Sequence, residues 1–238
     1  LTAILRRGTK KMPTQELISQ NLENMYGASF DCGVEKTGDN HIMKFYLESI
    51  NNEFLPSQEN LSKECLDILI DIVFNPYVEN GSFKEEYING EKENLKQIIE
   101  GKIDNKAKYA SDRCIEEMYK NKPYGLYKYG YIEDLKNINA KDLYEYYLQL
   151  IKNAKIDIFV SGDLDNEILN SIKENEIIKN LNERDPKYNV NKENEVKERV
   201  NEPKIIKESM QVTQGKLILG LDILNGKKES KYATSIYN

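Results

Sequence analysis

The sequence predicts an α+β fold, on three observations. Two alternating runs flank Thr37-Gly38-Asp39-Asn40 and read as one antiparallel hairpin. Several longer stretches place apolar residues at steps of three and four, which is the helical period. A later continuous apolar run, Ile156-Asp157-Ile158-Phe159-Val160, reads as a further strand. Strands and helices therefore segregate instead of alternating, which is the α+β pattern.

The elements follow in order. Leu1 to Arg7 reads as the end of a helix stopped at Gly8. Pro13 and Thr14 open an amphipathic helix with Glu16 in its first turn and Leu17, Ile18, Leu22 and Met25 as its stripe, and Tyr26-Gly27 ends it. Ala28 to Glu35 and His41 to Ser49 are the hairpin strands. Leu61 to Phe74 is a helix ended by Asn75-Pro76. From Ser82 to about Asn121 the apolar positions describe one long helix, with Gly90 and Gly101 as the places where it can bend. Pro123 to Asp134 is a loop rich in glycine and tyrosine. Helices over Ala140–Lys152 and from Asp165 or Asn166 to about Asn180 flank the run at 156–160. Leu181 to Pro203 has the polar, aperiodic composition of a linker. Met210 to Ile223 looks like strand again, and Lys228 to Tyr237 opens a further helix.

Composition limits the function. The 238 residues include 39% apolar and 31% charged ones, so a core forms beneath a heavily charged surface. The net charge of −6 argues against an electrostatically driven nucleic-acid partner. No apolar run approaches the length of a membrane span, and the expected location is the cytoplasm. Cys32, Cys65 and Cys114 lie far apart and are expected to be reduced thiols in or near the core.

Order and local motifs together resemble the M16 family of zinc metallopeptidases, the group of pitrilysin and the mitochondrial processing peptidase. The matching pieces begin with Arg7-Gly8-Thr9, Pro13-Thr14 and a helix ending in Tyr26-Gly27-Ala28. Phe74-Asn75-Pro76, Glu91-Lys92-Glu93, Pro123-Tyr124-Gly125 with Gly130, and Val160-Ser161-Gly162-Asp163 continue the series. Within that family the sequence most resembles a bacterial branch associated with 5-aminopentanol modification of elongation factor P. The resemblance implies a mixed, mostly antiparallel sheet packed on one face by helices, one of them long. It also implies a first domain over 1–180 with opening strands upstream of Leu1, a linker over 181–203, and the start of a second domain over 204–238.

The family's chemistry tests the opening stretch. Active members carry His-x-x-Glu-His on the helix that ends at the Gly-Thr pair. Two histidines four apart share a zinc ion and the glutamate activates its bound water. A third ligand, a glutamate, comes from the long helix, seven residues beyond another acid on the same face. Anchored on Gly8-Thr9, the general base falls at Thr2 and the second histidine at Ala3. Anchored on Glu91-Lys92-Glu93, the third ligand falls at Ile98, and Glu91 keeps the preceding acidic position. Threonine, alanine and isoleucine supply neither base nor zinc ligand, and residues 1–12 hold no His, Asp or Glu that a slipped alignment could recruit. Ile98 is expected to have become core packing. Glu91, an acid on an apolar stripe, must either reach water or pair with a base or hydroxyl.

Other candidates are weaker. His41 is the single histidine; it pairs near position 36 across the hairpin, away from Cys32, and reads as an exposed edge residue. The tyrosine-rich loop at 124–131 could stack on bases, but the acidic balance favours a structural role. The expectation is thus a non-catalytic M16-like subunit without zinc or other cofactor. It would line a peptide chamber beside an active M16-family subunit or a second copy of itself, with an extended peptide as its ligand and neither nucleic acid nor membrane as a partner. The alternatives are an active zinc metalloendopeptidase, which needs zinc ligands elsewhere, and an interaction scaffold that uses the charged helix.

Overall fold

The computed structural model describes residues 1–56, 60–162, 166–186 and 202–221. These divide into two compact units: residues 1–101 with 127–186, and residues 102–126 with 202–221. Among the described residues the fold is mixed, with nine α-helices and one two-stranded antiparallel sheet.

In the first unit a short helix α1 (Thr2–Leu5) buries Ile4 and Leu5 and is followed by a tightly built loop. Gly8 is required there, because a Cβ would overlap the Pro13 carbonyl. Thr9 is fully buried, and its hydroxyl accepts from the Met12 amide at 3.0 Å. The loop is fastened to the end of a later helix: Lys10 N–H donates to Asn75 O at 2.8 Å and Tyr77 N–H to Gly8 O at 2.9 Å. Helix α2 (Gln15–Asn24) is capped by Thr14 and buries Ile18. It ends where Tyr26 and Gly27 take φ of 56° and 74°, a left-handed exit that glycine tolerates best. Leu17, expected on the apolar stripe, is 42% exposed.

Strands β1 (Ser29–Thr37) and β2 (Asn40–Glu48) pair with Thr37 opposite Asn40, so Gly38-Asp39 is the two-residue turn. Gly38 has φ of 59°, at the position that a type II′ turn reserves for glycine. The register puts Phe30 opposite Leu47 and Cys32 opposite Phe45, all on one face. Phe30, Phe45 and Leu47 pack on a cluster of Ile18, Met25, Leu61, Ile68 and Ile72. Helix α3 (Leu61–Phe74), capped by Asn60, is buried on two sides. Its other face, Leu66 and Ile70, meets Ile168 and Ile178 of α8 (Asn166–Glu174) and α9 (Glu176–Asn182). A third cluster joins Ile4 and Leu5 to Phe83 and to Ile88 of α4 (Glu85–Glu100). It also takes in Ala140 and Tyr147 of α7 (Ala140–Asn153), with Phe45 at its edge. The short helix α6 (Ile132–Leu135) sits against α4.

Several expectations need correction. The long helix over Ser82–Asn121 is two helices, because Gly101–Asp104 forms a 3-10 turn and the Asn105 side chain starts α5 (Lys106–Met118) by accepting from Lys108 N–H at 3.0 Å. A glycine followed by a strong N-cap breaks a continuous apolar stripe. The helix expected to run to Asn180 is likewise split, with Asn175 capping α9. The sheet is smaller than expected. Ile156–Val160 forms no ladder, since no described strand lies beside it, and Phe159 is 90% exposed. The described part of the run from Met210 is extended but unpaired, with Leu217 and Leu219 exposed. The helix expected over Lys228–Tyr237 lies outside the described residues, as does most of the linker.

Candidate functional site

The positions that the resemblance marks out lie on α1 and α4, and packing brings these two helices together: Ile4 and Leu5 share a cluster with Phe83 and Ile88. Thr2 is buried and Ala3 half-buried on α1. The Thr2 carbonyl accepts from Cys32 Sγ at 3.6 Å, which places β1 against the same helix. Burial pushes the Cys32 thiol up, against a smaller opposing pull from the Arg6 guanidinium. A protonated thiol there is a weak donor, not a metal ligand.

Glu91 is largely shielded from water. Its Oε1 accepts from Arg7 Nε at 2.7 Å and lies 2.5 Å from Arg7 Nη2, a two-pronged ion pair with side chains 15% and 30% exposed. Asn94 donates to Oε2 at 3.4 Å. The guanidinium carbon of Arg7 lies 5.9 Å from the centroid of the Tyr87 ring, and Tyr87 donates its hydroxyl to Pro13 O at 3.2 Å. One arginine thus ties the end of the opening segment to α4 and occupies the retained acid. Of the two fates open to Glu91, pairing with a base is the one observed. Sequence reasoning did not name Arg7 as the base, because 84 positions separate the pair. Arg7 also lines an open groove of about 760 Å³ with Lys84, Tyr87, Glu16 and Glu23.

Ile98 corrects an expectation. It is 48% exposed and is not core packing. Seven residues carry it about 10 Å along α4 from Glu91, past the part of the helix that four-residue α1 covers. His41 pairs with Lys36 and is exposed. Among the described residues no three His, Cys, Asp or Glu side chains come together in a way that could hold a metal ion. Zinc therefore does not fit Thr2, Ala3 and Ile98: two carry no ligand atom, and the third has only a neutral hydroxyl beside no partner ligand. No described helix is long and apolar enough to cross a membrane.

No family model matches the chain. Over 220 residues, 92% of its length, the chain is 34% identical to "Probable inactive metalloprotease YmfF" of Bacillus subtilis (strain 168). The chain is similar to a metalloprotease named as inactive. It spans half the length of that curated relative. Among solved structures, a conserved protein from Enterococcus faecalis V583 superposes with a TM-score of 0.67 at 28% identity, covering 73% of this chain and 41% of that one.

Proposed function

We propose that the chain is part of a non-catalytic M16-type peptidase homologue that holds an extended peptide, or lines a chamber for one, beside a zinc-bearing subunit. The observation that carries this reading is the Arg7–Glu91 pair. The acid that this chain keeps at the family's preceding acidic position is neutralised by the chain's own guanidinium, and the ligand position two turns on is Ile98. Thr2 and Ala3 on α1 offer neither base nor ligand beside it. The name of the Bacillus relative agrees with that reading. A peptide role draws support from the hairpin, whose two strands each pair on one side only among the described residues. Their outer backbone groups suit the addition of an extended peptide strand. An association with elongation factor P modification is the finer form of the proposal and rests on the sequence resemblance.

The test is a mixing experiment with an internally quenched extended peptide. The chain alone is expected to bind the peptide, read by anisotropy, and to leave it intact. With a zinc-bearing subunit of the same family it is expected to form a complex that cleaves the peptide. Hydrolysis by the chain alone, abolished by a chelator, would overturn the proposal.

A further inference from the structure

The second unit contains a feature that the peptidase reading does not use. Residues 202–221 lie against α5, with no strand partner among the described residues, and are fastened to that helix at two places. At the first, Glu208 sits in a cradle: its Oε2 accepts from Tyr109 Oη at 2.8 Å and its Oε1 from Arg113 Nε at 2.8 Å. Lys204 Nζ reaches Glu117 Oε2 at 2.9 Å. Arg113 is the hub, since Nη1 reaches Glu116 at 2.7 Å and Nη2 reaches Glu117 at 3.2 Å. All three guanidinium nitrogens are thereby engaged, and one of them holds the extended segment. At the second place the chain passes so close to α5 that a Cβ on Gly220 would overlap Met118 Sδ and come within 2.8 Å of Cys114 Sγ.

We propose that residues 202–221 are a strap on α5, latched by Arg113 and released by ionic strength. No apolar side chain of the segment is fully buried: Ile205, Leu217, Leu219 and Leu221 are each at least 76% exposed, and Ile206, Val212 and Ile218 are 41–46% exposed. Its hold on the helix is mainly ionic. Glu117 and Glu208 are only 22% and 35% exposed, so the pairs are shielded enough to matter yet open to salt. Raising salt from 0.1 M to 1 M shortens the screening length from about 10 Å to about 3 Å, comparable to the separation of the pairs. The network of several charges around one arginine behaves as a unit, so loss of Glu208 frees the segment at its latch and leaves α5 intact.

Trypsin tests the strap because Lys204 and Lys207 lie just before the latch residue Glu208. Cleavage after these lysines is measured in the full chain and divided by the rate for a synthetic 202–209 peptide in the same buffer, which removes the effect of salt on the protease. Glu208→Gln lies outside α5 and leaves the helix whole. At 0.1 M salt it is expected to raise the normalised rate about tenfold. Salt at 1 M is expected to bring the parent chain close to the variant and to change the variant little. Gly220→Val, whose side chain meets Met118 and Cys114, is expected to raise the rate from the other anchor. Normalised rates that are the same for the parent and Glu208→Gln at both salt concentrations would overturn the proposal.

Discussion

Arg7 and Glu91 tie the end of the opening segment to α4, and the worth of that contact can be measured. Both side chains are largely shielded, and removing Arg7 leaves a carboxylate facing α1 without its cation. Arg7→Ala is expected to lower stability by about 1–3 kcal/mol in urea unfolding. In a double-mutant cycle with Glu91→Gln, the coupling should be about 1 kcal/mol. A coupling near zero would show the pair to be incidental. Ile98 and Ile88 give the opposite contrast on one helix. Ile98→Ala should stay within about 0.5 kcal/mol because the side chain is half in water, whereas Ile88→Ala should cost about 2–5 kcal/mol. Equal costs would restore Ile98 to the core. At this scale the sequence placed Thr2, Ala3 and Ile98 where the resemblance calls for a base and zinc ligands, and none of the three is a usual zinc ligand. It did not show what replaced the lost chemistry, because an ion pair across 84 positions leaves no local pattern.

Local turn chemistry explains which elements were legible. The hairpin register follows from Gly38-Asp39 and the alternation on either side, and α2 and α3 follow from Thr14 and Asn60 as caps. The break before α5 has the same kind of cause, but the apolar stripe running through it outweighed Gly101 and Asn105 in the sequence reading. Asn105→Ala is expected to remove the cap of α5 at a cost of about 1 kcal/mol. Among the described residues, strand-like composition at 156–160 and from 210 did not produce ladders, because a ladder needs a neighbour and composition names none. The segment at 202–221 adds a pH dependence. Arg113 and Tyr109 hold the Glu208 carboxyl below its ordinary value of 4.5, and Lys204 does the same for Glu117. A lowered carboxylate pKa contributes stability above the unfolded value and loses it as pH falls through the folded one. The segment is therefore expected to stay latched at neutral pH and to loosen as the pH falls below the ordinary carboxyl value of 4.5, read as faster cleavage by an acid-active protease.

For the whole molecule, the reading rests on order more than on any one motif. The Gly8-Thr9 loop, the left-handed exit at Tyr26-Gly27 and the Asn75-Pro76 helix end are separate pieces in sequence. In the structure the loop and that helix end are hydrogen-bonded together, with Lys10 on Asn75 and Tyr77 on Gly8. The opening segment is thus built into the packing of the first unit. Gly8→Ala should be among the costliest small substitutions, because the added Cβ meets backbone that cannot move aside. What most directly tests the central claim, that this architecture persists without its zinc, is the metal content of the chain. The chain would be purified without a metal-binding tag, equilibrated with equimolar zinc and separated from free ion before mass-spectrometric metal analysis. Far less than one equivalent is expected to stay bound, and a chelator is expected to leave the melting curve unchanged. One equivalent of zinc, held through separation and lost to the chelator with a fall in melting temperature, would contradict that claim.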